Sequence, residues 1–159
     1  MVPPRVTSAV IRTALNGWCT ARRFQIPHSR CMMGCPAEGA EDSIEHYASC
    51  RVIADTAHRW LHLGRDDSMQ TRLEVFMGMN SHENLEDKAR RQVLTAAAYK
   101  LHNNWRHNPK LNNKNTAEMQ QALGLMIQEV VAGHSEATTV VDTAWRRQQS
   151  GARRKRRRQ

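Results

Sequence analysis

The chain is poor in the side chains that build large cores. Its aromatics are two Phe, two Tyr and four Trp, and Leu, Ile, Val and Phe together supply 27 of its 159 residues. That share is about 17%, below the roughly 20% at which high charge begins to favour disorder. A core so thin gains from a second source of stability, such as a metal or a partner. No apolar run approaches the roughly 20 residues of a membrane-spanning helix, so no such span and no membrane partner is expected. The opening Met1-Val2-Pro3-Pro4-Arg5 lacks the apolar stretch of a secretory signal, which leads to the expectation of an intracellular, reducing compartment. There, four cysteines read as metal ligands or free thiols rather than as disulfides. Period-2 alternation of useful length and internal repeats are both missing, and the expected class is all-α.

Acidic residues are absent from the first 35 positions and from the last fourteen. Of the 24 Lys and Arg set against 15 Asp and Glu, eight lie in Arg146 to Gln159. The pattern along the chain is therefore basic, mildly acidic, basic. Three regions follow from it: residues 1–62, a helix with a metal-binding module; residues 63–145, a helical region without a recognised motif and open to a protein partner; and residues 146–159, a disordered basic tail. Within the tail, Arg153, Arg154, Lys155, Arg156, Arg157 and Arg158 form a run that like-charge repulsion keeps from folding. It suits a nuclear import signal or a phosphate-binding arm.

Helical spacing of Val6, Val10, Ile11, Ala14, Leu15 and Trp18 after Pro3-Pro4 predicts a helix from Val6 to about Asn16. Gln25 to Glu41, with Pro27, Gly34, Pro36 and Gly39, reads as a loop that burial alone does not order. A second helix is expected from Asp42 or Ser43 to near Gly64, on the cap and capping-box spacing of Asp42 to Glu45. Further helices are expected over Met69 to Met77, over Glu83 to Arg106, and from Thr116, a cap candidate, to Gly133, with a possible short one over Val140 to Gln149. The longest carries Leu85, Ala89, Val93, Leu94, Ala97, Ala98, Leu101 and Trp105 on one stripe.

Chemistry concentrates in Cys31-Met-Met-Gly-Cys35, ten residues, then His46-Tyr-Ala-Ser-Cys50. A tetrahedral zinc ion needs four soft or borderline donors at about 2.0 to 2.3 Å, and two short-spaced pairs bring them together readily. Gly34 lets the first pair fold into a turn, and i, i+4 spacing on the second helix projects His46 and Cys50 from one face. Three thiolates and one imidazole leave no open coordination position, the ligand set of one structural Zn2+. The expected fold is thus a small helical domain with a zinc-stabilised loop-helix knuckle. A Cys19, Cys31, Cys35, Cys50 set is also four-coordinate, but Cys19 has no partner at short spacing and reads as a buried free thiol.

The segment from about Thr13 to Trp60 resembles the zinc-binding (CCHC-type) region downstream of the polymerase domain in non-LTR retrotransposon reverse transcriptases. The shared features are Trp18 with Arg22, Arg23 and Phe24, the Cys31 and Cys35 pair, Glu41-Asp42-Ser43-Ile44-Glu45-His46 with Cys50, and Trp60. The family's common spacings are C-x2-C and H-x4-C, from which each pair here departs by one residue. The resemblance covers about a third of the chain. It implies a zinc-dependent module that binds RNA or DNA mainly through phosphates, inherited from a mobile element and lacking the polymerase.

Arg22, Arg23 and Arg30, with Trp18 and Phe24 interleaved, independently offer phosphate partners and stacking faces. Large aromatics are mostly buried, so Trp18 and Phe24 read more readily as core. No enzyme is expected. Asp66-Asp67 reads as a turn rather than a metal-holding acid pair, no Pro-Asp nuclease element occurs, and His102, Asn103, Asn104, His107 and Asn108 fall at a helix end without the ligand set of a nuclease. The alternative is a zinc-stapled helical scaffold for protein partners with a nuclear-targeting tail.

Overall fold

The computed structural model describes residues 2–27, 29–64, 72–108 and 115–132. The basic run at 153–158 and the short helix expected over 140–149 lie outside these residues. Among the described residues the helices are α1 (Pro4–Ala14), α2 (Ile44–Ser49), α3 (Arg51–Leu61), α4 (Arg72–Phe76), α5 (Leu85–Arg106) and α6 (Thr116–Ala132). The described residues contain no strand, only one isolated antiparallel bridge between Arg30 and Glu41. The fold is all-α, as expected.

Helix α1 starts two residues earlier than the apolar pattern indicates, because Pro4 fits the first turn, where an amide has no helical partner. It buries Val6, Ala9, Val10 and Thr13, while Ile11 and Leu15 stay exposed despite sharing the helical spacing. The expected second helix is two helices. Cys50 adopts an extended conformation (φ −65°, ψ 122°) between α2 and α3 and breaks the ladder there. Ser43, not Asp42, caps α2, accepting the His46 amide at 3.1 Å. Asn84 caps α5 by accepting the Asp87 amide at 2.8 Å. Asn115, not Thr116, caps α6, and Glu118 returns a contact to the Asn115 amide, both at 3.0 Å.

Helix α5 is the hub, packed against α1, α3, α4 and α6, and α3 also packs on α6. Its burial is wider than one stripe: Thr95, Ala96 and His102 are buried beside Val93, Leu94, Ala97, Ala98, Leu101 and Trp105, whereas Leu85 is exposed. Three consecutive alanines let neighbours approach on more than one side. One hydrophobic cluster draws on both sides of position 62, joining Val6, Trp18, Tyr47, Val52 and Leu61 to Leu94, Leu101, Trp105, Leu123 and Ile127.

A glycine sets the approach of α3 to α6. A methyl group built on Gly124 would lie 2.3 Å from Cε2 of Trp60, so the indole rests directly on the α6 backbone. Gly124→Ala is favoured by helix propensity by about 1 kcal/mol, but here it displaces a packed indole. We expect the variant to be less stable by about 1–3 kcal/mol in urea unfolding; unchanged or raised stability would show that the Trp60 contact is not formed.

Candidate metal centre

The loop between α1 and α2 is ordered at three points. Asn16 turns the chain at positive φ, after which the Ile26 amide donates to Ala21 O at 2.9 Å, curling residues 21–26. The Arg30–Glu41 bridge then brings the Cys31 amide to Ala40 O (3.0 Å) and the Asp42 amide to Ser29 O (3.2 Å), closing residues 31–40 into a loop. At its tip the Gly34 amide donates to Cys31 O at 3.1 Å with Gly34 at φ 66°, the left-handed region that glycine adopts without strain. Met33 anchors this tip at 1% exposure, and the Thr116 hydroxyl of α6 donates to Gly34 O at 3.0 Å. Neither anchor was visible in the ligand spacing.

This turn and the α2–α3 junction bring Cys31, His46 and Cys50 together, their ligand atoms all within 4.8 Å of one another. The group can hold a metal ion. The two sulfurs are 3.9 Å apart, close to the edge of about 3.8 Å that metal–sulfur bonds of about 2.3 Å give a tetrahedron. The fourth expected ligand behaves differently. Cys35 is half-buried on the same turn, but its sulfur lies outside the trio, and what it contributes there is its backbone amide beside the Cys31 sulfur. Cys19 is also outside the group. His46 and Cys50 do not share one helical face as their spacing suggested. The imidazole leaves α2, while the thiol comes from the extended residue after it.

Two features fit a metal. His46 Nε2 is buried and has no hydrogen-bond partner, a state that costs free energy unless a metal or proton donor satisfies it. The two thiols are also inequivalent. The Cys50 hydrogen bond holds the Cys31 thiol below its ordinary range, against burial and with help from the Cys35 and Met33 amides. That same contact, together with burial, pushes Cys50 well up, while His46 and the Ile53 amide act the other way. One proton shared between two sulfurs is a site that a cation can occupy instead.

Beneath the turn lies a polar network that the spacing did not reveal. Asp42, fully buried, accepts the Ala21 amide at 2.7 Å on Oδ2, and on Oδ1 it contacts both the Tyr47 hydroxyl and, at 3.1 Å, His102 Nε2 of α5. The Met32 amide donates to the Tyr47 hydroxyl at 3.4 Å, so the residue after His46 touches the residue after Cys31. Trp18 packs on Tyr47 and His102, ring centroids 5.3 and 5.2 Å apart, and its indole N–H donates to Thr13 Oγ1 at 2.8 Å. Burial pushes the Asp42 carboxyl up, but hydrogen bonds from His102, Tyr47 and the Ala21 amide outweigh it and hold the group below its ordinary value.

The basic residues ahead of the turn are all exposed. Arg22 pairs with Glu41. Arg23 donates to Trp18 O at 3.4 Å and stands 5.8 Å from the Phe24 ring centroid. The two aromatics part company: Trp18 is core at 0% exposure, and Phe24 is on the surface at 54%.

Native mass spectrometry should find one metal ion per chain, lost from Cys31→Ser, His46→Ala and Cys50→Ser; retention by all three would remove the centre. The lowered Asp42 value means that the unfolded chain takes up this proton first. Its stabilisation is therefore complete above the ordinary carboxylate value near 3.8 and is lost as pH falls through the lower folded value. We expect Asp42→Asn to cost on the order of 3 kcal/mol at neutral pH and to flatten the acid limb of the melting profile; an acid limb equal to that of the parent protein would place the acid sensitivity elsewhere. No known protein family, curated protein or solved structure matches the chain, so what the centre does is to be read from its own residues.

Proposed function

We propose that this protein is a zinc-dependent nucleic-acid-binding module in which a structural ion holds the 31–50 knuckle and the loop in front of it presents an arginine-flanked aromatic. The observation that carries the reading is Phe24. A half-exposed ring with a guanidinium beside it, flanked by Arg22, Arg23 and Arg30, sits on the same loop that the metal residues close. An exposed π-face beside phosphate-seeking charges suits the stacking of a single strand.

Cys31, His46 and Cys50 supply three donors, and Cys35, half-buried on the same turn, becomes the fourth once its side chain turns toward them. Zinc is the ion that this soft, closed set favours. Bound, it supplies no reaction: it cross-links turn and helix, and binding free energy of about 10–16 kcal/mol in comparable peptides offsets the cost of ordering a polar loop. The chain's own groups do the rest. The Asp42 network holds the 21–30 segment against α5, Phe24 stacks on a base, and the arginines meet phosphates on either side. The likeness of residues 13–60 to the zinc region of retrotransposon reverse transcriptases supports the same class of ligand. The basic run at 153–158 suits a second phosphate contact or a nuclear address.

The test is binding of a fluorescent single-stranded RNA or DNA across a salt series. Affinity should fall steeply with salt, and replacing Arg22, Arg23 and Arg30 by Gln should reduce the log–log slope by about 2. Phe24→Ala should weaken binding about tenfold or more. Equal affinity and slope in the parent and both variants would overturn the reading. For the metal, cobalt(II) substitution should give thiolate absorption that drops by about a third in Cys35→Ser; an unchanged spectrum would exclude Cys35 as the fourth donor.

A further inference from the structure

The loop that carries Phe24 also borders an open hollow that the ring itself does not line. A cavity of about 370 Å³ is walled by Arg22, Gln25, Ile26, Pro27, Ser29 and Glu41, with Ala21 and Asp42 also lining it. Its chemistry is mixed in a particular way. Ile26 and Pro27 give an apolar wall, suited to the face of a flat ring, while Gln25, Ser29 and Glu41 give polar groups suited to a ring's edge. The Asp42 carboxylate is already committed to Ala21, Tyr47 and His102, leaving Glu41 as the acid free to exchange partners. Gln25 is held at φ 55°, a conformation uncommon for a residue with a side chain, and such positions cluster where geometry serves binding.

Glu41 and Arg22 form an ion pair at this cavity, with side chains 46% and 59% exposed respectively. An exposed pair of this kind holds little free energy, so it opens readily. Once open it leaves a carboxylate and a guanidinium, both on the lining of the cavity, each able to take a new partner. Among the nucleobases, guanine alone presents two adjacent donors on its Watson–Crick edge, N1–H and the N2 amine, which one carboxylate accepts together.

We propose that this cavity takes one unpaired guanine of a single-stranded nucleic acid, with Glu41 accepting N1–H and the N2 amine while Arg22 swings to the adjoining phosphate. The proposal rests on the nucleic-acid reading above and deepens it. Phe24 and the arginines supply affinity for any strand; Glu41 supplies preference for guanine. Because the contact is to the base edge, the preference is the same on ribose and deoxyribose backbones.

The experiment uses the full chain and fluorescent heptamers of uridine with a central guanosine, adenosine, inosine or uridine, together with deoxyribose counterparts. The guanosine heptamer should bind about tenfold more tightly than the uridine one, the scale of a single bidentate contact. Inosine, which lacks the N2 amine, should lose most of that advantage, and Glu41→Gln should bring the guanosine-to-uridine ratio to about one. Equal binding of guanosine and inosine heptamers, or a ratio unchanged in Glu41→Gln, would overturn the proposal while leaving the nucleic-acid reading intact. Binding of none of the oligomers would remove both. The inosine comparison changes only the ligand, so it decides the matter even if Glu41→Gln folds poorly.

Discussion

The buried carboxylate of Asp42 is the constraint on which the arrangement depends. A charge with 0% exposure is tolerated only when its oxygens are satisfied, and here the partners come from three separate stretches of chain: the Ala21 amide, the Tyr47 hydroxyl and His102 of α5. Removing the acid would strand all three partners as well as the loop they hold. The metal residues inherit their placement from it. Tyr47 follows His46 directly and accepts the Met32 amide, which follows Cys31 directly, so the turn and α2 are registered against each other through protein groups before any ion contributes.

That registration matters because the hydrophobic share of the stability is small. The core is completed by small side chains and close approaches: Ala96, Ala97 and Ala98 in the middle of α5, and the bare backbone of Gly124 under Trp60. Close backbone approach raises packing density without requiring large aliphatics. A few of the aromatic residues stand where the polar network needs shielding, Trp18 packing on both Tyr47 and Tyr99. Trp18 and Tyr47 surround the Asp42–His102 contact, lowering the local dielectric and strengthening each hydrogen bond within it.

Which parts of this were legible in the sequence follows from the range of the forces involved. Helix positions were readable because periodicity and caps are local; the α5 boundary at Arg106 and the Gly34 turn came out as expected. Three of the four expected ligands, Cys31, His46 and Cys50, come together, and Cys35 does not; the trio was readable because donors at short spacing are rare. Their geometry was less so. Helical periodicity ran smoothly through Cys50, and nothing local marked it as the extended residue that separates α2 from α3. Asp42 looked like a cap because its spacing to Glu45 is that of a capping box, yet its buried partner His102 lies 60 residues away. Long-range partnerships of that kind leave no periodic trace. Thr116 repeats the lesson: a cap by local pattern, it instead reaches Gly34 across 82 residues.

The loop ahead of the centre combines two requirements that usually conflict. The proposed contact with a flexible strand needs an exposed aromatic and exposed charges, yet exposure ordinarily leaves a loop mobile and adds an ordering cost to binding. Here the segment is fixed from behind while its front stays open. Ala21 is held by Asp42, Trp18 is locked between Tyr47 and His102, and the Arg30–Glu41 bridge closes the far end. Between these anchors Arg22 to Pro27 are all exposed. The rigid floor and the open face are thus products of one short stretch whose buried residues are chosen for the core and whose intervening residues are left to the solvent. In the proposed complex such a face would enter the encounter already shaped, so contacts made by Phe24 and the arginines would not be spent on ordering the backbone that carries them.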